Sequence, residues 1–509
     1  MGALTPTERS YLRSGAQRYR LYLAVWGTWQ IETNTPLLTD PSTGNPKPNI
    51  IVSPSSFRPV LNIGSHRLAF VGEPIVFDAS RSWRQDGAAL TGGSWTFSGG
   101  MPSSAGGLGP HTVTWSAPGL YQVSYTNGAA TATRWVRVYQ SRFDLPYDVV
   151  AVGGISGSVD QGWRMDLTVA PTDDLGAVVN FQDFQAVGLF CEDEWWDGTQ
   201  WVRYPIGNYT PEPRLVMSGY IEQGSIQVQP EQHRVTFSVG NLLSQMDNAT
   251  IHTLHNWNAT FDVPTETGGI VFQGFTKVRT SDIMLWLLQA YTNILRFHDM
   301  TTWSDASLQN ISQLSCNEGT LLSALRSWAD AEFGWLFTDV GNGLRFIPNP
   351  HIRSSASFGN LYPFRADIGK DDVLNAQLQE DLQRNVVWVQ VRGVRIRDGK
   401  QFLGRYPTPT PPTGPGTWLI KDKLSIHSQA FADLLAQSFY NDANRRYTLT
   451  LTQPLWRAIG VPERIKVSLA FPDRGIAWND KPFIVESVSY QIDVGAGTWM
   501  TQSSAKEVV

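Results

Sequence analysis

Runs in which apolar and polar residues alternate recur along this 509-residue chain and constrain its fold more than any other feature. Clear examples are Arg18–Trp26, Trp163–Val169 and Tyr447–Thr452. A period of two places successive side chains on opposite faces of an extended strand, so one face can be buried and the other solvated. The chain is therefore predicted to be mainly β.

The middle of the chain changes to helical spacing. Ile283, Leu287, Tyr291 and Ile294 recur at the helical period, and a second helix is predicted over 318–333. A β-hairpin is expected next, because two apolar runs flank the turn sequence Asp-Val-Gly-Asn-Gly. The last third returns to strands, interrupted by a predicted helix over 426–444 and by an exposed Pro-rich loop over 406–416.

Composition excludes several classes of function. Aromatic residues make up 12% of the chain and charged residues only 17%, which favours β-structure and broad contact surfaces. The net charge is −5 and no cationic run stands out, so recognition of a nucleic-acid backbone is disfavoured. A neutral or mildly acidic wall is, however, compatible with a conduit along which DNA slides without sticking.

Cysteine content and hydropathy point to a chain without a disulfide framework or a membrane span. Cys191 and Cys316 are the two cysteines, and they are expected to be reduced core thiols, with a pair as the alternative. No apolar stretch reaches the roughly 20 residues of a membrane helix. Residues 1–20 lack the apolar segment of a signal peptide, so no export signal is expected.

Residues 70–139 resemble the PKD family, a small immunoglobulin-like β-sandwich common on microbial surface proteins. The stretches that carry the resemblance are Phe70–Trp83, Ser94–Gly100, Ala117–Tyr125 and Trp135–Tyr139. The Gly-Asp-Gly that usually follows the Trp-x-Phe of that family is Ser98-Gly99-Gly100 here. The resemblance implies a sandwich that spaces or decorates other domains, with loose binding of proteins or glycans as the alternative.

Later stretches resemble the phage tail hub family, which includes the trimeric baseplate hub of contractile tails. They are Ser281–Leu288 with Leu314–Leu325, Phe333–Pro350, and the closing unit Ala430–Thr501. The resemblance implies two tube-like antiparallel β-barrels per chain, so that three subunits form a pseudo-sixfold ring on a hexameric tail tube. The first barrel would come from residues 18–30 together with 145–245, and the PKD-like module would be an insertion.

Together these observations predict a multidomain, mainly β fold with an α+β middle. The expected division is 1–56 (N-terminal strand and linker, part of the first barrel), 57–140 (PKD-like sandwich), 141–265 (first hub barrel), 266–360 (helix–helix–hairpin domain) and 361–509 (C-terminal barrel with one helix).

Candidate chemistry is weak. His252 and His255 have the spacing of metal ligands, but no third ligand accompanies them, and a surface loop is the simpler interpretation. Glu192-Asp-Glu194 beside Trp195-Trp196 could suggest a glycosidase acid pair next to a sugar-stacking platform, yet neighbouring carboxylates on one strand alternate faces. No nucleophile elbow, Walker loop or dinucleotide fingerprint occurs. We therefore expect no catalytic, metal or cofactor-binding residues and no enzyme activity.

The functional expectation is a structural virion protein, the hub of a tail baseplate or tail tip. It would form a homotrimer that joins the tail tube or distal tail protein to baseplate, spike or fibre proteins and passes DNA through its lumen. It would be made in the bacterial host cytoplasm and reside in the virion tail. The alternative is a carbohydrate-binding or adhesin-type surface protein. The residues predicted for subunit interfaces are Tyr19, Leu21, Leu23, Thr448, Thr450 and Thr452.

Overall fold

The computed structural model confirms a mainly β, multidomain chain. It describes residues 17–28, 59–80, 82–84, 90–128, 130–143, 145–171, 181–196, 199, 201–203, 213–251, 255–258, 278–279, 284, 287–288, 310–311, 313–316, 319–331, 334–349, 364–380, 386–394, 400–423, 426, 428–444, 447–453 and 461–508. Within these ranges, no helix has the length and apolar character needed to cross a membrane.

A β-sandwich follows the first strand, β1 (Gln17–Thr28). Its strands are β2 (Pro59–Val60), β3 (Arg67–Phe70), β4 (Ile75–Phe77), β5 (Trp83–Arg84), β6 (Ser94–Phe97), β7 (Gly100–Met101), β8 (Ser104–Gly106), β9 (His111–Trp115), β10 (Gly119–Asn127) and β11 (Ala130–Tyr139). One sheet has the order β3-β11-β10-β6-β8 and the other β4-β9-β7. Phe77, Trp95 and Trp115 are buried between them. The expected Asn-Gly turn joins β10 to β11, with Gly128 at a φ of 59°.

A first β unit combines β1 with the strands after the sandwich. These are β12 (Tyr147–Ser158), β13 (Gly162–Pro171), β14 (Gln185–Trp196), β15 (Trp201–Arg203), β16 (Arg214–Ile221), β17 (Gln227–Gln229) and β18 (Arg234–Gly240), followed by helix α1 (Leu242–Asp247). Asn241 caps α1 by accepting from the Leu243 and Ser244 amides. Strands β14 and β16 are buried on both faces. Helices pack on one face, and the core of the β unit covers the other.

The middle segment provides those helices. Its strands are β19 (Thr250–Ile251), β20 (His255–Asn258), β21 (Val278–Arg279), β22 (Asn310–Ile311), β23 (Gln313–Cys316) and β24 (Gly319–Thr320), followed by α2 (Leu321–Ala331), β25 (Gly334–Thr338) and β26 (Leu344–Pro348). The predicted second helix and the hairpin are confirmed by α2, β25 and β26. Of the first predicted helix only Met284, Leu287 and Leu288 are described; they are helical and buried, and the rest lies outside the described residues.

The hairpin tip between β25 and β26 anchors this segment to the first β unit. The Val340 carbonyl accepts from the Ser218 amide at 2.7 Å. The Asn342 side chain accepts from the Leu242 amide, also at 2.7 Å, at the start of α1. Asp339 holds the tip together by accepting from the Gly341 and Gly343 amides. The Asp-Val-Gly-Asn-Gly sequence therefore makes a turn that also locks two parts of the fold together.

The last part of the chain contains two packing units. Its strands are β27 (Phe364–Gly369), β28 (Asn375–Glu380), β29 (Val386–Val394), β30 (Gln401–Tyr406), β31 (Thr417–Lys423), β32 (Tyr447–Gln453), β33 (Glu463–Ser468), β34 (Ala470–Phe471), β35 (Ile476–Ala477), β36 (Lys481–Asp493) and β37 (Thr498–Glu507). Helix α3 (Gln429–Ala443), which confirms the helix predicted there, packs on the β30-β29-β31 sheet as a separate α/β unit. The remaining strands form the second β unit. The sequence did not separate these two cores.

The two β units are joined edge to edge. In the described residues the sheet follows the order β1-β14-β16-β18-β13-β12-β36-β37-β32-β28. The joint is an antiparallel ladder from β12 to β36 that pairs Ile155 with Tyr490 and Ser158 with Ser487. Apolar side chains of both units share one core beneath it. The chain thus contains two β units that a continuous sheet makes into one body.

The two β units carry the same hairpin turn. In the first, β17 and β18 are joined by a 3-10 turn, Pro230–Gln232, that ends at His233 with a φ of 50°. In the second, β34 and β35 are joined by the 3-10 turn Pro472–Arg474, which ends at Gly475 with a φ of 63°. In both, proline supplies the first residue of the turn and a left-handed residue closes it. This local repeat is consistent with two related units in one chain.

Candidate functional site

The side chains on the outer face of the joined sheet are mostly hydroxyls and amides. Along β36, Val488 and Tyr490 point into the core, whereas Ser487 and Ser489 point outward. The period of two that buries one set of residues necessarily presents the other set to solvent. The same alternation operates in β12, β37, β32 and β28.

Strand register arranges these polar residues in two rows that cross five strands. The first row is Ser156, Ser489, Gln502, Thr452 and Asn375, and the second is Ser158, Ser487, Ser504, Thr450 and Gln377. We call these ten residues the hydroxyl face. Every member is a serine, threonine, glutamine or asparagine, so the face carries no formal charge.

A groove of about 420 Å³ lies where the two β units meet on this face. Its walls include Ser156, Ser158, Ser487, Ser489 and Ser504, and none of its lining residues is charged. Hydroxyl and amide groups can donate and accept hydrogen bonds, but they have no titratable proton near neutral pH. The groove therefore offers exchangeable hydrogen bonds and provides neither a general acid nor a fixed charge.

Aromatic rings form the floor beneath the groove. Gly157 lies directly over the Trp163 ring, whose centroid is 5.8 Å from that of Tyr490. Tyr490 in turn contacts Trp499 at 5.6 Å. Burial, followed by the charge of Glu463, raises the pKa of Tyr490 well above its ordinary value, so the phenol stays neutral. The floor beneath the groove is therefore mostly aromatic.

On the first β unit the outer face is polar and carries an ion pair. The Ser238 hydroxyl donates to the Asp166 carboxylate at 2.6 Å, and the hydroxyl oxygens of Thr168 and Thr236 are 3.0 Å apart. Arg164 forms an exposed ion pair with Glu222 at 3.3 Å. Near the hydroxyl face, Lys506 is likewise paired with Glu486 at 2.7 Å. Arg164 and Lys506 are thus each paired with a glutamate.

The predicted interface residues lie at two separate places. Thr448, Thr450 and Thr452 lie on the outer face of β32; Thr450 and Thr452 are members of the hydroxyl face, and Thr450 lines the groove. Strand β32 is paired on both sides, with β37 and β28, so its backbone is not an open edge.

Tyr19, Leu21 and Leu23 face the shared core instead. Leu23 is 1% exposed, and Tyr19 packs against Trp499 with ring centroids 5.7 Å apart. Leu21 packs, partly buried, on the same core. The structure therefore does not bring the two predicted sets together.

The sequence reading missed the serines of β12, β36 and β37. Their signal was present as Ser487-Val-Ser489, where serine alternates with apolar residues. What the sequence lacked was the register that aligns them across strands.

Of the weaker candidates, Glu192 is described and has structural partners. Glu192 is 4% exposed and accepts from the Tyr22 hydroxyl at 2.6 Å and from Arg142, so it is part of a buried ion network. His252 and the side chains of His255, Trp195 and Trp196 lie outside the described residues. Within the described ranges, no group of three or more His, Cys, Asp or Glu side chains could hold a metal ion. Cys191 is fully buried in the core, as expected.

The fold is similar to solved structures of phage tail proteins. A tail protein from Neisseria meningitidis is 12% identical, with a TM-score of 0.43 over 71% of this chain and 93% of that one. The 43 kDa tail protein of prophage MuSo2 from Shewanella oneidensis is also 12% identical, with a TM-score of 0.43 over 76% and 97%. The prophage tail protein gp18 from Listeria monocytogenes is 10% identical, with a TM-score of 0.38 over 70% and 89%.

No protein-family model and no curated protein matches the chain. At these identities and TM-scores, the likeness to tail proteins does not place the chain in a family.

Proposed function

We propose that this chain is a structural subunit of a phage-type tail tip, a hub whose copies form a ring around a channel for DNA. Three copies would contribute six β units, which matches the sixfold symmetry of a tail tube. The distal side of the ring would carry the host-recognition or puncturing parts. The role is assembly, and no catalytic step is proposed.

The observation that carries this proposal is the fusion of two β units into one sheet, with the uncharged hydroxyl face on its outer side where the units meet. Non-specific binding to DNA comes almost entirely from cations that displace counterions from phosphates. A wall of hydroxyls and amides forms hydrogen bonds that water can replace at once, and it lacks the cations that would hold a polyanion. The hydroxyl face is therefore suited to line a path along which DNA moves.

Mass measurement in solution and electron microscopy test the ring. We expect a species of three copies, with a central opening, when the purified protein is concentrated or mixed with its tail tube. A protein that remains a monomer under all these conditions, and joins no threefold or sixfold particle, would overturn the proposal.

Charge placed on the hydroxyl face tests the channel wall. Lysine at Ser156, Ser489 and Ser504 should turn a face with weak affinity for duplex DNA into one that retains it, with an affinity that falls steeply as salt rises. The matched control places three lysines on exposed positions of the sandwich, at Thr96, Ser98 and Ser104. In assembled rings the first variant should slow DNA passage and the control should not. Equal behaviour of the two variants would show that the hydroxyl face does not line the channel.

A further inference from the structure

The first β unit has a seam between β1 and β12. Strand β1 ends the sheet in the described residues, with β14 as its ladder partner, and β12 lies near it without joining it. An end strand presents unpaired carbonyl and amide groups, to which a strand from another chain can add. The groups that form hydrogen bonds with this edge of β1 therefore decide whether another strand can add to the sheet there.

Side chains of the sandwich occupy the positions that a neighbouring strand would take. The Arg137 guanidinium donates to the Val25 carbonyl through Nε at 2.8 Å and through Nη2 at 2.5 Å. The Tyr139 hydroxyl donates to the Leu23 carbonyl at 3.1 Å. Carbonyls two residues apart on one strand point to the same edge. Two side chains of β11 thus replace two of the hydrogen bonds that the backbone of a neighbouring strand would make.

Protonation keeps both donors ready. Arginine remains charged at every physiological pH. Burial raises the pKa of Tyr139 to about 12, so its phenol keeps the proton that it donates to Leu23. The charged donor also makes the stronger type of hydrogen bond.

A buried ion network holds the sandwich in this position. Arg142, which lies between the sandwich and β12, donates to Glu73 of the sandwich at 2.6 Å and to Glu192 of β14 at 2.6 Å. Its guanidinium also lies 4.2 Å from the centroid of the Phe70 ring. The Arg142 side chain is only 7% exposed, so moving the sandwich away would leave charges unpaired in the interior.

Ring contacts and buried apolar side chains also attach the sandwich to β1. Phe70 packs edge-on against Tyr22 of β1 at 5.6 Å, and His66 packs against Trp26 at 5.2 Å. Leu68 and Phe70 are buried in the same core as Tyr22 and Trp26. The sandwich is therefore attached to β1 between Tyr22 and Trp26 and cannot act as a free spacer.

From these contacts we infer that the sandwich is an edge cap. It closes the β1 seam, prevents a second copy of this chain from adding a strand there, and so directs assembly to other surfaces of the sheet. The capping itself rests on the contacts within one chain. Its consequence for assembly rests on the proposed function.

The experiment removes the two donors and keeps their bulk, in the variant Arg137→Leu with Tyr139→Phe. We expect a folded protein with unchanged far-UV circular dichroism that forms open-ended, concentration-dependent β-sheet aggregates in place of closed rings. Arg134→Leu is the matched control, because Arg134 lies on the same strand but donates to Gly64 within the sandwich. The control should assemble like the wild type.

Each outcome has a separate meaning. If the double variant assembles like the wild type, the edge cap is overturned while the ring stands. If the wild type forms no ring, the proposed function fails, and hydrogen exchange then tests the cap alone. In that measurement, Tyr139→Phe should speed exchange of the β1 amides around Val25 by about fivefold, the factor for one lost hydrogen bond. Unchanged exchange would overturn the cap.

Discussion

At the scale of single residues, Gly157 allows the floor of the groove to close. A Cβ at this position would overlap the Trp163 ring, and the strand that carries it is the one that joins the two β units. We predict that Gly157→Ala lowers the free energy of unfolding by about 1–3 kcal/mol, the range for overpacking a filled core. Urea denaturation followed by tryptophan fluorescence measures it.

The same strand contains a matched control. Gly154 has no atom within 4 Å of the position that its Cβ would take. Gly154→Ala should change stability by no more than about 0.5 kcal/mol, as for an ordinary surface substitution. Equal losses in the two variants would mean that contact with Trp163 does not explain the glycine.

Buried phenols make the protein sensitive to alkaline pH. Burial raises the pKa of Tyr139 to about 12, and burial followed by the charge of Glu192 raises that of Tyr22 further. A phenol with a raised folded-state pKa ionises first in the unfolded chain. Its contribution to stability is therefore complete below about pH 10 and is lost as the pH rises from about 10 to 12.

Denaturation measured at several pH values checks this prediction. Tyr139→Phe should lose less stability than the wild type between about pH 10 and 12, because one of the titrating groups is gone. Tyr121→Phe is the control, since that hydroxyl bonds the Ala117 carbonyl at the surface. A pH profile of Tyr139→Phe that matches the wild type would contradict the assignment.

Residue patterns predicted turns better than they predicted the candidate site. The Asn-Gly turn at Gly128 could be predicted because its chemistry is local. Serines alternating with apolar residues mark any solvent-facing strand, so Ser487 and Ser489 did not stand out. Their meaning comes from Ser156 and Gln502 beside them, and no local signal specifies those neighbours.

At the scale of elements, Arg142 connects the sandwich to β14. Replacing it with methionine should cost about 3–5 kcal/mol, because Glu192 would remain in the interior without its cation. The double variant Arg142→Met with Glu192→Gln should recover part of that loss. Thermal unfolding measures both, and a double variant no more stable than the single one would show that the unpaired charge is not the cause.

An exposed ion pair provides the comparison. The Arg164 side chain is 60% exposed in its pair with Glu222. Arg164→Met should therefore cost no more than about 1 kcal/mol, as is usual for pairs in contact with water. A loss of stability as large as that of Arg142→Met would indicate that removing any arginine destabilises the protein, whether or not its partner is buried.

Elements that depend on neighbouring sequence were predicted, and those that depend on distant sequence were not. The β25–β26 hairpin, α2 and α3 each follow from a period and a nearby turn or cap. The pairing of β12 with β36 joins Ile155 to Tyr490, and no periodicity connects positions so far apart. The packing of α3 on β29–β31 could not be predicted either, because an apolar stripe on a helix does not specify which sheet it packs against.

At the scale of the whole molecule, the two β units of the described chain share one hydrophobic core, whereas the sandwich has a separate one. The sandwich has its own core around Trp95 and Trp115. The two β units share theirs, because Trp163 of the first packs on Tyr490 of the second and Tyr19 packs on Trp499. The sheet should therefore unfold as one cooperative unit, whereas the sandwich has a core that its own strands close.

Fragments of the chain test this division. Residues 57–140 should fold alone, because their core is closed by their own strands, although Phe70 would lose its cover. In residues 361–509 the α/β unit around α3 keeps its own core, but the second β unit should not fold cooperatively, because Tyr490 and Trp499, now 3% and 2% exposed, would face water. Urea titration of each fragment, followed by near-UV circular dichroism, gives the result. A sharp transition for 361–509 that includes Trp499 would mean that the second β unit is stable without the first, and that the shared sheet joins two finished domains.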